Sequence, residues 1–145
     1  MIMGKRRNAR STGRRSTRTR RALAALLFNG HDRHVTAEQL HGEALVAEIK
    51  VSLATVYNTL NAFNDSGLLR VIVVEPGSSF FDTNTKEHYH FYFEETRQLI
   101  RIPGNMALLA CLPVPPAGTS VCRVDLIIRI RTVRSGKSEL PAMRR

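Results

Sequence analysis

Residues 52–74, Ser-Leu-Ala-Thr-Val-Tyr-Asn-Thr-Leu-Asn-Ala-Phe-Asn-Asp-Ser-Gly-Leu-Leu-Arg-Val-Ile-Val-Val, change from one periodicity to another with no room for a long loop. Leu53, Val56, Leu60 and Phe63 recur at helical spacing and make one apolar stripe. Ala54, Tyr57, Asn58 and Asn61 fall on another face, small or polar, with donors and acceptors suited to base edges or phosphates. Ser52 is placed to cap the helix and Gly67 to end it. Residues 68–74 are too β-branched and too few for another helix, and a strand is expected there. A helix with one packing face and one hydrogen-bonding face, followed by a hairpin, predicts a winged helix-turn-helix.

The preceding segment fits the same design. Thr36-Ala-Glu-Gln39 is a capping-box pattern, with Thr36 as N-cap and Gln39 reaching back. Leu40, Ala44, Leu45 and Ala47 then give a short helix with a narrow apolar face, and Ile49-Lys50-Val51 joins it to the next. Two helices packed only for stability would show the same pattern, so charge has to discriminate.

The chain has 145 residues, with 22 Lys+Arg against 12 Asp+Glu, and the excess is concentrated. Residues 1–21 hold nine basic residues and no acid, which leaves a nearly neutral remainder of 13 against 12. A basic arm beside a helix-turn-helix is the electrostatic footprint of a phosphate-binding protein. An organelle transit peptide or a twin-arginine export signal has a similar composition. Against export, no small-x-small cleavage site follows, and Asn29-Gly30-His31-Asp32 ends the apolar run. The arm is expected to lead into a first helix at about 19–28, with Leu23, Leu26 and Leu27 facing a core, and DNA binding is preferred over targeting.

No apolar run is long enough to span a bilayer, so a soluble, cytoplasmic protein is expected. Cys111 and Cys122 lie far apart without a Cys-x-x-Cys pair, which excludes a cysteine-based zinc site and makes a disulfide framework a poor expectation. With 6% aromatics and no Trp, a base-stacking surface for single strands is poorly supported. Neither a phosphate loop nor Gly-x-Ser-x-Gly occurs, and Cys111 has no base nearby in sequence. An enzyme is not expected.

The second half is patterned differently. Phe80-Phe81-Asp82 completes the expected wing, and Thr83-Asn84-Thr85-Lys86 is a polar, hinge-like run. Strands are expected at 89–93 and 99–102 around a polar turn, and a helix at 105–112 stopped by the prolines from Pro113. A long strand is expected at 121–133, where Val124, Leu126, Ile128 and Ile130 alternate with Arg123, Asp125, Arg129 and Arg131. A sheet this small cannot bury enough apolar area alone, so pairing with a second copy is expected. The fold class is therefore α+β. It comprises a basic arm (1–16), a winged-helix DNA-binding domain (17–83), a small α/β dimerisation domain (84–134) and a basic tail (135–145).

Metal chemistry concentrates at His88-Tyr89-His90. Residues two apart on a strand point to one side, so both imidazoles can address one ion. Further ligands are needed, and His34 or Asp82 could supply them. Two or three imidazoles with one carboxylate suit Zn2+, Fe2+ or Mn2+. Two surface histidines on a strand would give the same spacing.

These runs occur in a particular order: His34-Val-Thr-Ala-Glu-Gln-Leu, Ser52-Leu-Ala-Thr-Val-Tyr-Asn-Thr-Leu, Ser66-Gly67-Leu68-Leu69, Phe81-Asp82-Thr-Asn and His88-x-His90. From about Arg18 to Arg131 the chain resembles the ferric uptake regulator family, most closely its iron response regulator branch. The resemblance implies a homodimeric transcription regulator of iron homeostasis that binds promoter DNA. It implies DNA contacts by Tyr57 and its helix neighbours. The set expected at DNA is Arg18, Arg20, Arg21, Thr36, Ser52, Ala54, Thr55, Tyr57, Asn58 and Asn61. It also implies a hinge metal site of His34, Asp82, His88 and His90, linking the two domains and setting their angle. Branch members are thought to sense haem, directly or through a haem-biosynthesis enzyme, with three consecutive histidines where this chain has His88-Tyr89-His90. Arg101 stands where family members often place an acidic ligand, and Glu87 and Tyr89 replace the usual residues of a second metal site. A regulator of the same fold with a decayed site, constitutive or controlled by partner proteins, is the alternative. A metal-storage or haem-carrier role would leave the recognition helix and the arm unexplained.

Overall fold

In the computed structural model, residues 8–103 and 111–133 are described. The chain divides into two compact units, Met1–Glu87 and His88–Arg145. The first contains α1 (Asn8–Leu27), β1 (His34–Val35), α2 (Ala37–Val46), α3 (Leu53–Asp65), β2 (Arg70–Glu75) and β3 (Ser78–Asp82). Its core joins Leu23 and Leu27 of α1, Ala37, Leu40 and Ala44 of α2, and Val56 and Leu60 of α3. Val35, Leu69 and Phe81 close it from the sheet side. Leu53 and Phe63, the ends of the expected apolar stripe, pack on its margin.

Both helix starts follow from side-chain chemistry. The Gln39 backbone N–H donates to Thr36 Oγ1 at 3.1 Å, and the Thr36 N–H donates to Gln39 Oε1 at 2.9 Å. This reciprocal capping box satisfies two orphan donors. Ser52 Oγ accepts from the Thr55 N–H at 3.2 Å.

The two helices end alike. After α3 the Leu68 N–H donates to Phe63 O at 2.9 Å and the Gly67 N–H to Asn64 O at 3.0 Å, with Gly67 at φ 77°. After α2 the Ile49 N–H donates to Ala44 O at 2.8 Å and the Glu48 N–H to Leu45 O at 3.1 Å. This is the same Schellman closure, but the left-handed position is filled by Glu48 at φ 58° rather than by glycine.

The wing is an antiparallel hairpin, β2 on β3, turning through Pro76-Gly77. β1 adds to the far side of β3, giving the order β1-β3-β2. This edge strand, absent from the sequence expectation, is too short for periodicity to reveal.

The second unit contains β4 (His90–Phe93), β5 (Gln98–Arg101) and β6 (Ile127–Ile130) in the order β5-β4-β6. β4 is antiparallel to β5 and parallel to β6. Tyr89, Tyr92, Leu99 and Ile102 are its buried hydrophobic residues among those described, and the Arg129 guanidinium lies 5.5 Å from the Tyr92 ring centroid.

Two expected boundaries move. The first helix reaches back to Asn8 instead of starting near Thr19, so much of the presumed arm is helical. Once Leu23 and Leu27 anchor the helix, each further turn propagates cheaply through arginines, which are good helix formers. The expected strand at 121–133 shrinks to Ile127–Ile130. Its ladder runs only from His90↔Ile127 to Phe93↔Ile130, so the four-residue partner β4 limits its length. Most of the expected helix at 105–112, and the tail at 135–145, lie outside the described residues.

Candidate functional site

The face of α3 turned away from the core is built by helical spacing. Val56, Thr59 and Leu60 are buried, whereas Ala54, Asn58 and Asn61, at i, i+4 and i+7, are exposed. Small at one end and amide-bearing along its length, this stripe can approach a groove closely, and each asparagine offers both a donor and an acceptor. Ser52 is exposed at its head, where its hydroxyl serves as cap and lies 2.9 Å from Thr55 Oγ1. Thr55 is half-buried, and its carbonyl accepts from Thr59 Oγ1 at 2.8 Å. Thr36, half-buried, uses its hydroxyl in the α2 cap.

Tyr57 differs from its neighbours. Its ring packs on the margin of the core, and its hydroxyl donates to Glu38 Oε1 on α2 at 2.7 Å. The bond holds the Glu38 carboxyl below its ordinary range and, with some burial, pushes the Tyr57 phenol up. Glu38 was missed by sequence reasoning because the residues lie 19 apart and no periodicity connects them. Arg18, Arg20 and Arg21 project from α1 as exposed cations.

The expected metal ligands fall into two pairs, one in each unit. In the first unit, His34 on β1 is the register partner of Asp82 on β3. The His34 ring stands edge-on to Phe80, with centroids 6.0 Å apart. Asp82 is 2% exposed, and its Oδ1 accepts from the Asn84 N–H at 2.8 Å, which fixes how the carboxylate is presented. The β1–β3 pairing is extended by the Thr83 N–H donating to Arg33 O at 2.9 Å and the Arg33 N–H donating to Thr83 Oγ1 at 3.0 Å. Arg33 is itself held by Glu43 of α2, so the strand carrying His34 is tied to that helix.

In the second unit the rings of His88 and His90 lie 4.6 Å apart. His90 is 3% exposed, and its register partner on β5 is Arg101. Tyr89, between the histidines, is buried, and among the described residues its hydroxyl has no hydrogen-bond partner. The first pair is thus preorganised by the β1–β3 register, whereas in the second only His90 lies on a strand and His88 precedes β4, contrary to the expectation that both stand on one strand. The donor types, imidazole nitrogen and carboxylate oxygen, fit Zn2+, Fe2+ or Mn2+.

The model of the ferric uptake regulator family matches residues 11–105. A peroxide-responsive repressor, PerR, of Staphylococcus aureus is 35% identical over 92 residues, which are 63% of this chain and 61% of the repressor. The matched region thus spans less than two thirds of that relative's length. Among solved structures, the ferric uptake regulator of Pseudomonas aeruginosa with manganese superposes with a TM-score of 0.61 at 22% identity, covering 86% of this chain and 98% of that one. The Vibrio cholerae regulator gives a TM-score of 0.64 at 21% identity, covering 86% and 99%. At these identities the two structures speak for the fold, an N-terminal helical unit with a wing followed by a small α/β unit. No helix among the described residues is long and apolar enough to cross a membrane.

Proposed function

Because the chain belongs to the ferric uptake regulator family, we propose that it is a sequence-specific, homodimeric DNA-binding transcription regulator whose operator affinity is set by a divalent ion. The observation that carries this reading is the exposed Ala54, Asn58 and Asn61 stripe on a helix whose opposite face is locked into the core. In this reading α3 enters the major groove, the two helix caps bring backbone N–H groups toward phosphates, and Arg18, Arg20 and Arg21 neutralise the flanking backbone. Dimerisation through the second unit is supported by Ile127, Ile128 and Ile130, which one copy of the small sheet leaves only half-buried.

The ion is assigned to His34, Asp82, His88 and His90 acting together. A ligand set drawn from both units would make metal occupancy a constraint on how two α3 helices meet two half-sites. When bound, the ion would supply Lewis-acid bonds to imidazole and carboxylate. The chain's own contribution is to hold those groups, as the β1–β3 register and the Asn84 hydrogen bond do for Asp82. We assign the response to iron supply, with peroxide, the signal of the Staphylococcus relative, as the comparison stimulus. The iron response regulator branch, haem and a haem-biosynthesis enzyme partner are supported by the motif runs alone. Burial of Tyr89, the one side chain offered in place of the branch's middle histidine, argues for the ion over haem.

One observation favours a second reading. Arg101 is the cross-strand neighbour of His90, and a guanidinium beside a metal ligand opposes a divalent cation. On that reading the site has decayed and DNA binding is constitutive or controlled by a partner. The discriminating experiment selects duplexes from a random pool with the purified chain, then titrates them with and without chelator. A large loss of affinity on chelation that His88→Ala/His90→Ala abolishes supports the sensor. Equal affinity in both conditions supports the decayed site, and no selected sequence at all refutes the regulator.

A further inference from the structure

The Tyr57–Glu38 hydrogen bond lies at the surface, beside the exposed stripe of α3. A phenol carries one proton. With that proton directed at Glu38 Oε1, the Tyr57 oxygen can meet a third group only as an acceptor, and the carboxylate is acceptor-only as well. The lowered Glu38 pKa and the raised Tyr57 pKa keep the pair as carboxylate and phenol around neutral pH. Asn58 and Asn61 offer both donors and acceptors, so the tied pair is the element with a fixed polarity. In the major groove the exocyclic amino groups of adenine and cytosine are donors, whereas guanine and thymine present acceptors at their N7, O6 or O4 atoms.

We propose that Glu38 is a specificity-determining positioning residue: it holds Tyr57 as a hydrogen-bond acceptor, so that the base facing Tyr57 in each half-site is selected for the amino group of adenine or cytosine. This rests on the assignment of α3 as the DNA-reading helix. Untied, the hydroxyl would rotate and donate to guanine or thymine equally well, and discrimination at that position would vanish while the others persisted.

The test is duplex selection and quantitative binding with the full chain in Mn2+, comparing wild type, Glu38→Ala and Tyr57→Phe. Wild type should prefer an amino-bearing base at one position per half-site by roughly tenfold, the scale of a good base contact. Glu38→Ala should flatten that one position and leave the others unchanged. Tyr57→Phe retains the ring and its packing, and should flatten the same position. A uniform loss of affinity in Glu38→Ala with every preference intact would overturn the proposal, since a purely structural tie behaves that way. A wild type that discriminates at the Tyr57 position in favour of guanine or thymine would also overturn it. A wild type with no sequence preference anywhere would instead refute the assignment of α3 to DNA, and this inference with it.

Discussion

Replacing Glu48 with glycine should stabilise the helical unit. Glu48 stands at φ 58° in the turn that carries the chain out of α2, where a Schellman closure requires the left-handed conformation. A residue with a Cβ is disfavoured there by about 1–2 kcal/mol. Glycine removes that strain but loses about 0.5–1 kcal/mol through the larger freedom of its unfolded chain. Glu48 is exposed, and among the described residues its side chain has no hydrogen bond or ion pair to enter the balance. The net gain is therefore about 0.5–1 kcal/mol, or about 2–8 °C in Tm for a unit of this size. Every described helix lies in this unit, so circular dichroism at the helical band follows its unfolding directly. Glu48→Ala, which keeps the Cβ, is the control and should move Tm little. If Glu48→Gly were no more stable than Glu48→Ala, the strain argument would be wrong.

Further expectations follow the same logic. Gly42, inside α2 with open space around its Cβ position, should accept alanine with a gain of about 0.5–1 kcal/mol in the same melting assay. Changing Arg18, Arg20 and Arg21 to glutamine should reduce the salt slope of operator binding by about one unit for each phosphate no longer neutralised; an unchanged slope would take these residues off the DNA. Arg101→Gln should tighten divalent-ion binding roughly fivefold, since about 1 kcal/mol of screened repulsion is removed, and an unaltered Kd by calorimetry would count against a site next to Arg101. The folded-state pKa of Glu38 lies below its ordinary 4.5, mainly through the Tyr57 bond, so its ionisation stabilises the fold above that value. That contribution is lost as pH falls through the lowered pKa. Tyr57→Phe should therefore shrink the drop in urea midpoint between about pH 6 and about pH 3.5, and an identical drop would refute the linkage.

What the sequence made legible was local. The Thr36–Gln39 box, the Ser52 cap and the Gly67 stop each involve residues within a few positions, and their hydrogen bonds form between the partners that spacing names. The two-residue strand at His34 was invisible because it exists only through pairing with residues some fifty positions later. The true length of β6 was hidden for a related reason: alternation continued past the end of the partner strand. Residues 8–16 read as part of an arm because charge masked a helix that draws its stability from leucines further along. Glu48 carried no glycine signal at a position that geometry forces into the left-handed region. For the site, residue types and their placement on α3 were readable, but the Tyr57–Glu38 tie and the His90–Arg101 pairing required the fold.

The connectivity of β4 also has a kinetic consequence. The β4–β5 hairpin closes over a short turn and can form on a microsecond scale. β6 pairs with the opposite edge of β4 only after residues 94–126 have been synthesised and have brought it back in parallel. A nascent chain therefore presents the open edge of β4, with Phe91 and Phe93 along it, throughout that interval. Such an edge invites pairing with other chains. Translation that stops before Ile127 should leave an aggregation-prone hairpin, whereas the helical unit, completed upstream, already has its own core.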